Sequence, residues 1–291
     1  MDSLTSPEHG HRSSVLFWGV RGSIPTPGPG TVRYGGNTTC LELRLGGEII
    51  ILDAGSGLRP LGQALGREFG ETPISLTILS THTHWDHIQG FPFFAPAYGP
   101  QNHIHIIGRK PQNSTLEAML SQQMDGRHFF PIPLADLPAS ISFQDLDPAG
   151  PMLFTVGSVA IRACPTNHPG GCFAYRFSAD SGDFVFLTDH ETGGKDEATI
   201  LRFIAGAALL VADAQYTAEE ADARHGWGHG CVDSIVDLAL GAGIRRLVLF
   251  HHDPLHDDTF IDRMLERARS LVPTTSSLDI LAAKEGQRID F

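Results

Sequence analysis

The sequence predicts an α+β fold in which two β-sheets are sandwiched between helices. Runs rich in β-branched and aromatic residues recur through the chain, helical periodicities appear in both halves, and Gly/Pro loops separate the runs. The 291 residues suffice for one large domain, and a composition of 41% hydrophobic and 19% charged residues is globular.

Residues 1–13 read as a flexible tail, polar and without the apolar core of a secretory signal. SVLFWGV (14–20), LELRL (41–45) and EIIILDA (48–54) read as strands. LRPLGQALGREF (58–69) has helical spacing, and SLTILS (75–80) is a buried strand that leads into THTHWDH (81–87). HIHIIG (103–108) is a short strand and STLEAMLSQQM (114–124) a helix. FTVGSVAIRACP (154–165), FAYRFSA (173–179) and DFVFLTD (183–189) form hairpin-like strands. The last third alternates ALLVADA (208–214), a helix over 232–243, RRLVLFHH (245–252) and a helix over 260–271. No repeat, low-complexity tract or linker interrupts this order, so 14–291 is expected to be a single domain. GSGLRPLG (55–62) resembles a dinucleotide-binding loop, but its third glycine is out of register and Pro60 sits inside it.

Acidic residues outnumber basic ones 33 to 21, for a formal charge of −12. A general nucleic-acid binder would more often show a basic surface, so long polyanions are not expected as main substrates. The four cysteines (Cys40, Cys164, Cys172, Cys231) are widely spaced, as buried reduced thiols would be. No apolar run reaches membrane-spanning length, and a cytoplasmic location is expected. Fifteen histidines are the first hint of metal.

THTHWDH concentrates that hint. In extended chain His82 and His84 point the same way, and Asp86 and His87 follow as the chain turns toward a second point. Imidazole nitrogen with carboxylate oxygen suits zinc, iron or manganese. Three further groups, His168, Asp189 and His251, each follow a buried strand, as ligands gathered at one sheet edge would. One strand-end histidine is more often structural; three such sites together with THTHWDH reverse that reading.

These motifs, with WGVRGSIPTPGPG, YGGNTT, ILDAGSG and LVLFHHDP, resemble the metallo-β-lactamase superfamily, in the branch of RNase Z and the cyclic phosphodiesterases. The resemblance covers nearly the whole chain. It implies an αββα sandwich with two divalent transition-metal ions between the sheets, zinc first, manganese or iron as alternatives. It assigns His82, His84 and His168 to one ion and Asp86, His87 and His251 to the other, with Asp189 bridging. Diiron relatives carry a glutamate where this chain has His84, and true β-lactamases a cysteine in the second site, where it has His87 and Asp189. The resemblance also suggests a homodimer.

Such a pair shares one water and makes hydroxide available near neutral pH, but a sugar oxygen leaving from phosphorus also needs a proton. By the same resemblance His229 is the proton donor and Asp213 its partner, although Gly230-Cys231 stand where relatives have Ser-Thr and Asp213 is shorter than their glutamate. Asp53 is expected to support the metal loop, and His190, His225 and His252 to stand no nearer than behind the ligands. Arg21, Asn37 and Thr38 are expected to touch phosphate or sugar, and Phe129 and Phe130 to form a lid on a base. The function expected is hydrolysis of small phosphodiesters, cyclic nucleotides first. A lactonase or thioesterase, an RNase Z-like endoribonuclease, and a non-catalytic sensor or scaffold are the alternatives.

Overall fold

The computed structural model describes residues 13–150 and 152–291, so the tail expected over 1–13 lies almost wholly outside the described residues. One sheet contains β1 (Ser14–Gly19), β2 (Cys40–Leu45), β3 (Glu48–Leu52), β4 (Ser75–Ser80), β5 (His103–Arg109) and β6 (Ser140–Leu146) in chain order. The other contains β7 (Leu153–Val156), β8 (Val159–Pro165), β9 (Phe173–Phe177), β10 (Phe184–Leu187), β11 (Leu209–Asp213), β12 (Arg246–Phe250) and β13 (Asp279–Ala282). β14 (Arg288–Asp290) returns to the first sheet and pairs with β1. Both sheets are mixed: β14–β1–β2–β3 and β7–β8–β9–β10 are antiparallel, whereas β3–β4–β5–β6 and β10–β11–β12–β13 are parallel.

The alternation of buried side chains makes three apolar layers. Inward residues of both sheets, among them Phe17, Leu43, Leu79, Phe173, Tyr175, Phe186 and Phe250, form the central one. α1 (Leu58–Phe69) and α3 (Leu116–Gln123) cover the outer face of the first sheet through Leu61, Leu65 and Leu120. α4 (Glu197–Ile204), α6 (Val232–Gly241) and α7 (Asp258–Ser270) cover the second through Ile200, Val236 and Met264. The αββα sandwich expected from the sequence is therefore the observed fold.

β6, β13 and β14, three of the four sheet edges, carry no clear signal in the sequence. β13 and β14 are only four and three residues long, and in the seven-residue β6 buried and exposed positions hardly separate until Leu146. The same holds for α4, the six-residue α5 (Ala218–Ala223) and the single turn α2 (Trp85–Ile88). The glycine loop before α1 has a packing reason: a Cβ on Gly55 would stand 2.4 Å from the Asp86 carbonyl oxygen, beneath the metal-binding stretch.

Parallel strands put their carboxyl ends on one edge of the sandwich, where the loops after β3, β4, β10, β11 and β12 meet. There the sheets are stitched by Tyr175 on β9, whose buried hydroxyl donates to the Ser80 carbonyl at the end of β4, 2.7 Å away. Tyr175→Phe should cost about 1 kcal/mol in denaturant unfolding, whereas Phe186→Ala in the same layer should cost about 3–5 kcal/mol. Equal losses would contradict the layered account.

Candidate metal centre

β4 delivers the chain to Thr81, after which His84 is extended and α2 turns Asp86 and His87 inward. Asp189 lies two residues beyond β10, His251 one beyond β12, and His168 on the turn between β8 and β9. Asp53, Asp189 and His251 all have positive φ, between 50° and 62°. That left-handed backbone costs on the order of 1 kcal/mol or more per residue, and here it turns each side chain back over its strand end.

The seven residues assigned from the sequence converge on two points. Asp86 Oδ2, His87 Nε2, His251 Nε2 and Asp189 Oδ1 form a cage: both imidazole nitrogens stand 3.3 Å from both carboxylate oxygens and 3.3 Å from each other. A tetrahedral ion with ligands at roughly 2.0–2.1 Å requires ligand–ligand edges of roughly 3.3–3.4 Å. His82, His84, His168 and Asp189 gather ligand atoms within 4.8 Å at the second point, where His82 Nε2 and His168 Nε2 each lie 3.6 Å from Asp189 Oδ2. His82 Nε2 is buried with no hydrogen-bond partner. The two oxygens of Asp189 thus face different clusters, as a bridging carboxylate must.

Electrostatics agree with the geometry. Burial opposes ionisation of Asp86 and Asp189, yet neighbouring imidazoles hold both carboxyls below the usual carboxylate range. Burial likewise opposes charge on His87, but Asp86, Asp189 and Asp53 push it well above the ordinary imidazole value. The pocket demands positive charge, and this donor set suits divalent cations.

Three of the imidazoles are held from behind. His87 Nδ1 donates to Asp53 Oδ2 at 2.8 Å, and Asp53 Oδ1 accepts the Thr81 N–H at 2.8 Å. His168 Nδ1 donates to the Gly228 carbonyl at 2.9 Å, and His251 Nδ1 to Gln215 Oε1 at 2.9 Å. These bonds fix the tautomer that turns each Nε2 lone pair toward the cluster. Gln215 was not visible in the sequence, because an amide gains this role only through a partner 36 residues away.

His229 lies beside the cluster, its Nδ1 2.8 Å from Asp213 Oδ2 and its ring stacked on His251 at 5.1 Å. Asp213 is fully buried and also accepts the Gln215 N–H. Asp189, Asp213, His229 and His251 form a further group within 4.8 Å. There Asp213 and His229 satisfy each other and His251 Nδ1 is engaged by Gln215, so this group is a hydrogen-bonded cluster rather than a third metal point.

Two expectations are corrected, those for Arg21 and Thr38. Arg21 is fully buried, its Nε and Nη1 donating to the carbonyls of Gly35, Asp253 and His256, so it staples loops and meets no substrate. Asn37 is engaged by Glu285 and Ser56. Thr38 is fully buried and bonded to Ser56 and Gln89. Phe130 packs edge-on against Phe93 at 5.5 Å, next to the outer apolar layer, whereas Phe129 is exposed. Polar loop residues cannot be sorted by composition into those that face solvent and those that tie loops together. Of the other histidines, His252 binds the Ala283 carbonyl, exposed His225 pairs with Glu191, and His190 accepts the Asn167 N–H.

A family model described as a β-lactamase superfamily domain matches residues 49–252. The ribonuclease Z of Methanothermobacter thermautotrophicus is 24% identical over 323 aligned positions, covering 95% of this chain and 97% of that protein. The metallo-β-lactamase fold protein YhfI from Bacillus subtilis superposes with a TM-score of 0.70 at 18% identity, covering 97% of this chain and 100% of that one. A diphosphatase described as new in the PhnP family gives a TM-score of 0.69 at 16% identity, over 96% and 98% of the two chains.

Protein saturated with zinc and then desalted should retain about two ions per chain by elemental analysis. Asp86→Ala should lower that number toward one, and Asp53→Asn should weaken affinity roughly 10- to 100-fold. A stoichiometry of one in the wild type would contradict the two-point geometry.

Proposed function

From the premise that the chain belongs to the metallo-β-lactamase superfamily and is a metal-dependent hydrolase, we propose that it is a dinuclear phosphodiesterase acting on small phosphodiesters, cyclic nucleotides foremost. His82, His84 and His168 hold one divalent cation, Asp86, His87 and His251 the other, and Asp189 joins them. Zinc suits this donor set best, with manganese or iron as alternatives. Bound there, the two cations would supply an activated water and charge compensation at a phosphoryl oxygen.

The observation that carries the reading is the 2.8 Å contact between His229 and Asp213 at the edge of the clusters. Burial alone would lower the His229 pKa, but Asp213, with Asp189 and Asp86 beyond it, raises it to about 9. In the metal-free site its ring is therefore protonated at neutral pH, and bound cations would lower that value. With Nδ1 engaged by Asp213, Nε2 is left to protonate the leaving oxygen. The exposed ring of Phe129 offers a surface for a base.

An RNase Z-like reading is favoured by the 24% identity to a ribonuclease Z along nearly the whole chain. Charge argues for the smaller substrate. At −12 overall, a long polyanion would gain little from counterion release. The 124–139 segment, between α3 and β6, sets Asp125 and Asp136 against Arg127 and His128. Cleavage of a cyclic mononucleotide should outcompete tRNA 3′ processing at physiological salt; efficient processing with a steep salt dependence would favour the endoribonuclease.

His229→Ala should slow hydrolysis of a ribose diester by roughly 10²–10⁴-fold. An activated aryl diester, whose nitrophenolate leaves without a proton, should lose far less, and metal content should not change. Equal losses on both substrates would remove His229 from proton transfer. Turnover of a simple lactone, with none of either diester, would replace the phosphodiesterase reading.

A further inference from the structure

Three loops that are far apart in sequence meet at Glu191. Its backbone N–H donates to the Asn167 carbonyl at 3.0 Å, and its carbonyl accepts Asn167 Nδ2 at 2.9 Å, beside the ligand His168. Glu191 itself follows the bridging Asp189 by two residues. Its carboxylate reaches across to the turn that precedes His229, where Gly226 N–H lies 3.0 and 2.9 Å from its two oxygens. Gly228 N–H donates to the same carboxylate at 2.9 Å, and His225 Nδ1 lies 2.7 Å away.

The turn gripped in this way has two separate duties. The Gly228 carbonyl takes the Nδ1 proton of His168, and the next residue is His229. Gly226 and Gly228 adopt φ of 84° and 86°, which gives the turn its path but also great freedom when untethered. A Cβ on Gly228 would stand 2.4 Å from His168 Nδ1, so small shifts of this turn reach the ligand directly. Burial accounts for only one of these bonds, since Gly228 is buried and its N–H needs a protein acceptor. Gly226 is exposed, and water would satisfy its N–H. A charged acceptor spanning two amides instead gives strong, directed bonds and a fixed backbone.

We propose that Glu191 is a positioning residue, whose carboxylate clamps the 224–229 turn so that His229 meets the leaving-group oxygen while the Gly228 carbonyl orients His168. The proposal rests on the phosphodiesterase reading above. Untethered, the turn lets the His229 imidazole wander, whereas His168 would stay tied to the cation it holds. A misplacement on the order of 1 Å costs up to about 100-fold in rate. The loss falls on substrates that need the proton.

The test uses full-length zinc-reconstituted protein and the variants Glu191→Ala, Glu191→Gln, His229→Ala and the Glu191→Ala/His229→Ala double. Substrates are a 2′,3′-cyclic mononucleotide and bis(4-nitrophenyl) phosphate. Glu191→Ala should lower kcat on the cyclic nucleotide about 10- to 100-fold, leave its KM within about 2-fold, and change aryl-diester turnover by less than about 3-fold. Glu191→Gln, which keeps an acceptor oxygen, should recover part of the loss. The double variant should be no slower than His229→Ala, because the clamp has nothing left to position. Hydrogen exchange at Gly226 and Gly228 should accelerate in Glu191→Ala. Equal losses on both substrates, losses that multiply in the double variant, or unaltered cyclic-nucleotide turnover would overturn the proposal. A wild type inert toward both diesters would instead sink the phosphodiesterase reading, and with it the catalytic part of this one.

Discussion

The Asp189 carboxylate is the constraint around which the site is built. It is almost completely buried, and four imidazole nitrogens stand 3.3 to 3.6 Å from its two oxygens. An isolated carboxylate in such a place would be costly, since burial in low dielectric penalises charge severely. It persists because His82 and His168 approach one oxygen while His87 and His251 approach the other. Remove that carboxylate and the two clusters have no common member. The left-handed backbone at Asp189 follows from the same demand, because the chain must turn back sharply over the end of β10.

The sandwich makes that convergence possible by bringing parallel strand ends from two sheets to one edge. THTHWDH comes from the first sheet, whereas Asp189, Asp213 and His251 come from the second. The relative placement of the sheets therefore sets the distances inside the site. The central apolar layer fixes that placement through large interdigitated side chains, Phe17, Phe186 and Phe250 among them. The site itself is rigidified by the bonds behind the ligands. Asp53, Gln215 and the Gly228 carbonyl each take one imidazole proton, so ring orientation is determined before any cation arrives.

Much of this was legible in the chain because the signals are local. Four ligands stand within THTHWDH, and the other three follow buried apolar strands, a pattern that survives without knowledge of the tertiary fold. The strands and helices with strong periodicity were legible for the same reason, α1 over 58–69 among them. What the sequence did not disclose depends on partners distant in the chain. Arg21 reads like an anion contact until Asp253 and His256 are seen to close over it, 232 and 235 residues away. Glu191 and Gln215 look like ordinary polar residues until the loops they bind are brought beside them. Phe129 and Phe130 are neighbours of identical type, and only packing against Phe93 separates the half-buried ring from the exposed one.

The central claim is that both cation points must be filled before a phosphodiester is hydrolysed. The clusters share Asp189, so each ion would complete the surroundings of the other, and two-metal sites act on the attacking and leaving oxygens together. Titration of zinc into metal-stripped protein, with cyclic-nucleotide hydrolysis followed at each addition, tests this directly. The account predicts that the rate stays low through the first equivalent and rises to its plateau only as the second is bound. A rate that reaches its full value at one equivalent would contradict it.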